Sequence, residues 1–150
     1  MKKIFVLIIL TLIYGCGYTS IYKELKRDLN INVLNITGDF EINNYIKNNL
    51  KISSNKNSSN IFDLNIDTEY NKIVLAKDAT GNATDYKIEM SAKIVVTSIN
   101  DNNIFYKENF KIKKYDDNFE QSNYEKDIKR NFSQIVQKKL ILDLIKLSDN

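Results

Sequence analysis

The feature that most restricts this chain is a strict polar–apolar alternation through its middle. Tyr86, Ile88, Met90, Ala92, Ile94 and Val96 share one side of an extended segment, while Asp85, Lys87, Glu89, Ser91, Lys93 and Thr97 share the other. Successive side chains of a strand point to opposite faces, so this pattern reads as a half-buried strand. Two neighbouring stretches repeat it. Phe62, Leu64, Ile66 and Tyr70 oppose Asp63, Asn65, Asp67 and Glu69. After an Asn100-Asp101-Asn102-Asn103 turn, Ile104, Tyr106, Phe110 and Ile112 oppose Lys107, Asn109, Lys111 and Lys113. The three strands read as an antiparallel meander with one wet face.

On either side the period changes. Residues 31–36 are a short β-branched strand candidate closed by Gly38, and Asp39 is placed to cap a helix carrying Ile42, Tyr45, Ile46 and Leu50 at helical spacing. Residues 53–60, all Ser, Asn and Lys, read as a surface loop. Near the C-terminus Ser122-Asn123-Tyr124-Glu125 has capping-box spacing. Tyr124, Ile128, Phe132, Ile135, Val136 and Leu140 then recur at threes and fours, as in a long amphipathic helix. The order is strand, helix, three strands, helix. Both apolar stripes are buried if the two helices lie on one face of a four-stranded, mainly antiparallel sheet, an α+β two-layer sandwich. Phe62, Leu64, Tyr86, Ile88, Met90, Ile94, Phe110, Ile112, Ile128, Phe132 and Ile135 are its expected core.

The N-terminus has a different character. Lys2 and Lys3 precede an apolar stretch over residues 4–14, and Gly15 stands just before Cys16, the single cysteine of the chain. The stretch is shorter than the roughly 20 apolar residues needed to span a bilayer. A lone thiol in an oxidising compartment is also unusual, because exported cysteines normally pair. The arrangement resembles a bacterial lipobox. That resemblance implies cleavage after Gly15, acylation of Cys16, and Gly17 as an outer-membrane sorting residue. The expected organisation is a signal peptide at 1–15, a lipidated tether at 16–30, and one α+β domain at 31–150.

Composition removes several functions. The sequence has no His and no cysteine beyond Cys16, so common zinc ligand sets and Ser-His-Asp or Cys-His nucleophilic sites cannot be assembled. No metal or other cofactor is expected. Without Lys2 and Lys3, 20 basic residues face 19 acidic ones. That near-balance argues against nucleic acid, whose binders are clearly basic. Asp63, Asp67 and Glu69 share a strand face, but exposed neighbours are ordinarily solvated and lack the separated pKa values of an acid/base pair. The expectation is a non-enzyme.

Several weaker elements in order carry a resemblance across nearly the whole mature chain. They are Gly15-Cys16-Gly17-Tyr18, a strand then the helix ending Ile46-Lys47-Asn48-Asn49-Leu50, the run Leu75-Ala76-Lys77-Asp78, and Gly81 followed by Ala83-Thr84-Asp85-Tyr86. In these the chain resembles the LPS-assembly lipoprotein family, LptE, also called RlpB. The resemblance implies a lipid-anchored protein on the periplasmic side of the outer membrane that plugs the LptD β-barrel during lipopolysaccharide assembly. It further implies a ligand-contacting basic residue in the turn before the Tyr86 strand, where Ala79 stands here and Lys77 lies nearby. A second falls where this chain is shorter, between Lys114 and Lys126. Lys77, Lys114 and Lys126 are therefore the candidate lipopolysaccharide contacts, and Ala79, Thr80, Gly81 and Asn82 the candidate barrel-contacting tip. Lys107, Lys111 and Lys113 form a basic stripe that reads more simply as a solvated strand face. The alternative is an auxiliary lipoprotein subunit of another transenvelope lipid-transport system.

Overall fold

The computed structural model describes residues 29–98 and 102–148. The segment that resembles a lipobox, Cys16, the expected tether through residue 28 and the Asn100-Asp101 half of the turn lie outside them. The elements are β1 (Asn30–Gly38), α1 (Phe40–Ser53), β2 (Ile61–Lys77), β3 (Ala83–Val96), β4 (Asn102–Lys113) and α2 (Asn118–Ser148). They form one four-stranded sheet in the order β1-β2-β3-β4. β2 runs parallel to β1, and the two remaining pairs are antiparallel. The expected α+β sandwich is the observed one, with a mixed sheet.

Alternation places Phe62, Leu64, Ile66, Ile88, Met90, Ala92, Ile94, Val96, Tyr106 and Ile112 under the helices, where all are buried. Ile42, Ile46 and Leu50 of α1, Ile128, Phe132, Val136, Leu140, Ile141 and Leu144 of α2, and Leu29 and Ile31 complete the core. Tyr86 and Phe110 pack against it only partly buried. Of the residues expected in the core, Ile135 is half-buried, because the stripe that faces the sheet passes through Val136 and Phe132 instead. Tyr124 is 39% exposed and rests on the Tyr115 ring, 5.4 Å away.

Local signals account for most boundaries. Asp39 caps α1 by accepting from the Ile42 amide. α2 starts four residues before the Ser122 box, since the Asp117 carboxylate accepts from the Phe119 and Glu120 amides. Asp117 and Glu120 themselves have the spacing of a capping box. α1 also runs to Ser53, which is buried and accepts from the Gln137 side chain, so the loop is limited to residues 54–60. Leu29, expected in the tether, is buried in the core, and β1 begins at Asn30. Leu34 is an extra residue in β1 opposite β2, so Val33 and then Ile36 face inward while Leu34 is left 62% exposed.

The helices are tied to each other and to the sheet by polar contacts as well as by packing. Lys129, nearly buried, reaches Asp39 at 2.9 Å and Glu41 at 2.8 Å, and lies 4.1 Å over the Tyr70 ring. The Tyr106 hydroxyl donates to Asp143 at 2.7 Å, and burial together with that carboxylate raises its pKa.

Candidate functional site

β2 is the longest strand and outruns its parallel partner. β1 ends at Gly38 opposite Thr68, whereas β2 continues to Lys77 against β3 alone. Every residue from 71 to 77 is exposed. The helical layer last touches this strand through Glu125, which accepts from the Tyr70 hydroxyl at 2.8 Å, from the Lys72 ammonium, and from the Gln121 amide at 2.7 Å. Burial raises the Glu125 pKa, but these donors outweigh it and hold the carboxyl below its ordinary range. Beyond that point the β2–β3 hairpin projects past the helices, with Ile73, Val74 and Leu75 each close to half exposed.

The hairpin ends in a tightly bonded loop. One oxygen of Asp78 accepts from the Thr80 amide at 2.9 Å, the Thr80 hydroxyl at 2.7 Å and the Asn82 amide at 2.9 Å. The Asp78 amide donates back to the Asn82 carbonyl, and the Gly81 amide to the Asp78 carbonyl. Gly81 has φ +88, where a side chain is disfavoured. The Thr80 hydroxyl, then the Asn82 amide, lower the Asp78 pKa, as expected for a carboxylate that accepts several bonds. Ala79, Thr80, Gly81 and Asn82 are thus brought together as a preorganised tip. Asp78 organises it. Sequence reasoning passed over that residue, although an Asp followed two residues later by Thr is a recognisable turn signal.

The basic candidates divide. Lys77 pairs with Ala83 across the hairpin, and the Lys114 amide donates to the Thr84 carbonyl at 2.8 Å, so both flank the first residues of β3 at the tip end. An open cleft of about 520 Å³ there is lined by Lys113 and Lys114 but also by Asp78, Asp85 and Asp116, which leaves its charge mixed. Lys126 is exposed on α2 beside Glu125, near the middle of β2, and does not join them. The Lys107, Lys111 and Lys113 stripe lies on the wet face of β4, where Glu89 draws in Lys87 and Lys107. Asp63, Asp67 and Glu69 accept from Asn32, Thr37 and Ser91, fastening the neighbouring strands. Among the described residues no metal-holding group of three carboxylate, His or Cys residues converges, and no helix is long and apolar enough to cross a membrane.

No protein-family model matches the chain, and no curated protein matches it. Solved structures do share its fold. Rare lipoprotein B from Shewanella oneidensis superposes with a TM-score of 0.54 at 14% identity, covering 78% of this chain and 99% of that one. A minor lipoprotein from Acinetobacter baumannii gives 0.52 at 8% identity over 78% and 94% of the two chains. A candidate lipoprotein from Caulobacter crescentus gives 0.52 at 12% identity over 85% and 94%. At such identities the likeness is one of fold.

Proposed function

We propose that this chain is an outer-membrane lipoprotein, anchored through acylated Cys16, that seats in and supports a large β-barrel of the LptD kind during lipopolysaccharide transport to the outer leaflet. The observation that carries the reading is the fold shared with rare lipoprotein B over nearly the whole of that chain, downstream of a segment that resembles a lipobox in this one. The physical fit lies in the sheet. A body enclosed by a large outer-membrane barrel meets a polar lumen, and the uncovered face here carries Asp67, Glu69, Asn71, Lys93, Lys107, Asn109 and Lys111 in the open. The stiff, projecting tip over residues 78–82 is the part suited to reach into such a lumen. In this reading the role is non-catalytic, and lipopolysaccharide phosphate meets Lys77 and Lys114 rather than Lys126.

Photo-crosslinkers at Ala79, Thr80 and Asn82 in cells test it. The expected product is an adduct with a large heat-modifiable outer-membrane barrel, with fewer adducts from residues 54–60. Adducts to an inner-membrane transporter complex alone would favour the auxiliary-subunit role instead. No barrel adduct from any tip position refutes the reading. Cys16→Ser should leave the precursor uncut or release it from the membrane, and mass spectrometry showing an unmodified Cys16 behind an intact signal in the wild type would refute the anchor.

A further inference from the structure

The end of the domain opposite the tip carries a second feature. A groove of about 280 Å³ runs between β1 and α1. Its floor is apolar: Leu50 is 1% exposed, Ile31 is buried, and Val33 packs half-buried against the core. Its rim is Lys47, Lys51 and Lys56, and no carboxylate lines it among the described residues. None of the three lysines forms an ion pair among those residues.

Helix stability does not explain this cluster. Lys51 is in the last turn of α1, where the helix dipole favours a cation. Lys47 lies a full turn earlier, and like charges four residues apart on a helix repel. Lys56 lies beyond the helix, held near the groove by its carbonyl accepting from the Asn30 side chain. Three converging cations without a counter-charge, over an apolar floor, complement a ligand with an anionic head and an apolar tail. Lysine is a point charge without geometric selectivity for free phosphate, so the floor is what distinguishes a lipid from an ion.

Position points the same way. The described chain enters at Leu29, whose carbonyl accepts from the Asn55 amide, and Asn30 then lines the groove. The groove adjoins residues that pair with the start of β2, about 50 Å along that strand from the tip. We propose that the groove binds the headgroup of an anionic phospholipid, its phosphate among Lys47, Lys51 and Lys56 and its first methylenes on Ile31, Val33 and Leu50. This end of the domain then rests on a bilayer while the tip points away from it. The inference requires no barrel partner.

The test uses the mature chain, residues 16–150, carrying Cys16→Ser, so that neither an acyl anchor nor the signal segment contributes, and follows the methyl NMR signals of Ile31, Val33 and Leu50. Dihexanoyl phosphatidylglycerol, kept below its micelle threshold, should shift all three saturably, and dihexanoyl phosphatidylcholine at least tenfold more weakly. Each lysine near an anionic lipid surface contributes about fivefold in affinity, so Lys47→Gln with Lys51→Gln should weaken binding about 25-fold. Both positions are exposed, and an unchanged spectrum elsewhere verifies folding. Lys77→Gln at the tip should change nothing. Equal responses to the two lipids, undiminished binding by the double variant, the same shifts from inorganic phosphate alone, or no response to either lipid would each overturn the proposal.

Discussion

Replacing each described glycine by alanine separates backbone strain from packing, because the two have similar dihedrals in opposite surroundings. Gly38 has φ +99 and Gly81 has φ +88, so alanine at either incurs the left-handed penalty of about 1–2 kcal/mol. At Gly81 a new Cβ meets nothing within 4 Å. The loss there should stop at the strain, as the Asp78 bonds do not involve that side chain. At Gly38 the Cβ would fall 1.7 Å from the Thr68 carbonyl oxygen and 2.9 Å from the Thr68 nitrogen. The Thr68 backbone must then retreat by about 1.5 Å or more to approach ordinary van der Waals separation. That residue is buried, its carbonyl accepts from the Asp39 amide at 3.2 Å, and its hydroxyl donates to Asn43 at 2.7 Å. Losing both bonds adds about 1 kcal/mol each, and opening the β1–β2 edge adds more, for a total of about 3–5 kcal/mol. Urea unfolding of the two variants measures the difference directly. In thermal melts a domain of this size loses about 4 °C per kcal/mol, so Gly38→Ala should fall by about 12 °C or more and Gly81→Ala by about 4–8 °C. Equal losses, or a larger one at Gly81, would refute the close approach of β1 to β2 at Thr68.

Core and acid stability provide further checks. Phe132→Ala and Ile88→Ala, both at fully buried positions, should cost about 3–5 and 2–5 kcal/mol in denaturant unfolding, whereas Phe119→Ala, 73% exposed, should stay within about 0.5 kcal/mol. Glu125 has a folded pKa below its ordinary 4.5, so its contribution is present above the unfolded pKa and disappears as pH falls through the lowered folded one. Stability should therefore fall below about pH 4.5, and Glu125→Gln should flatten that part of the profile; an unaltered acid limb in the variant would remove Glu125 as its source.

How much of this molecule could be read from the chain follows from the range of the forces involved. The alternation of β2, β3 and β4 was legible because one buried face imposes a period of two on consecutive residues, and every inward residue of β3 from Ile88 to Val96 is buried. The Asp39 cap was legible because it is a contact within one turn. Local signals also produced the error at α2, where the Ser122 box competed with an Asp117 cap that the fold actually uses. The extra residue at Leu34 could not be foreseen. It depends on where β1 meets β2, a pairing between residues some thirty positions apart.

The candidate site divides along the same line. Gly81 and the polar residues around it mark a turn by themselves, since only local dihedrals and short side-chain bonds are needed. That Lys77 and Lys114 share one end of the sheet while Lys126 lies elsewhere required the register of three strands and the placement of a helix. The groove under Lys47, Lys51 and Lys56 has no sequence signature, because its floor comes from β1 and its rim from α1 and the loop after it. Periodicity thus determined which residues are buried and the class of fold that buries them. Only the tertiary structure decided which charges converge, because convergence depends on distances between segments that no local interaction sets.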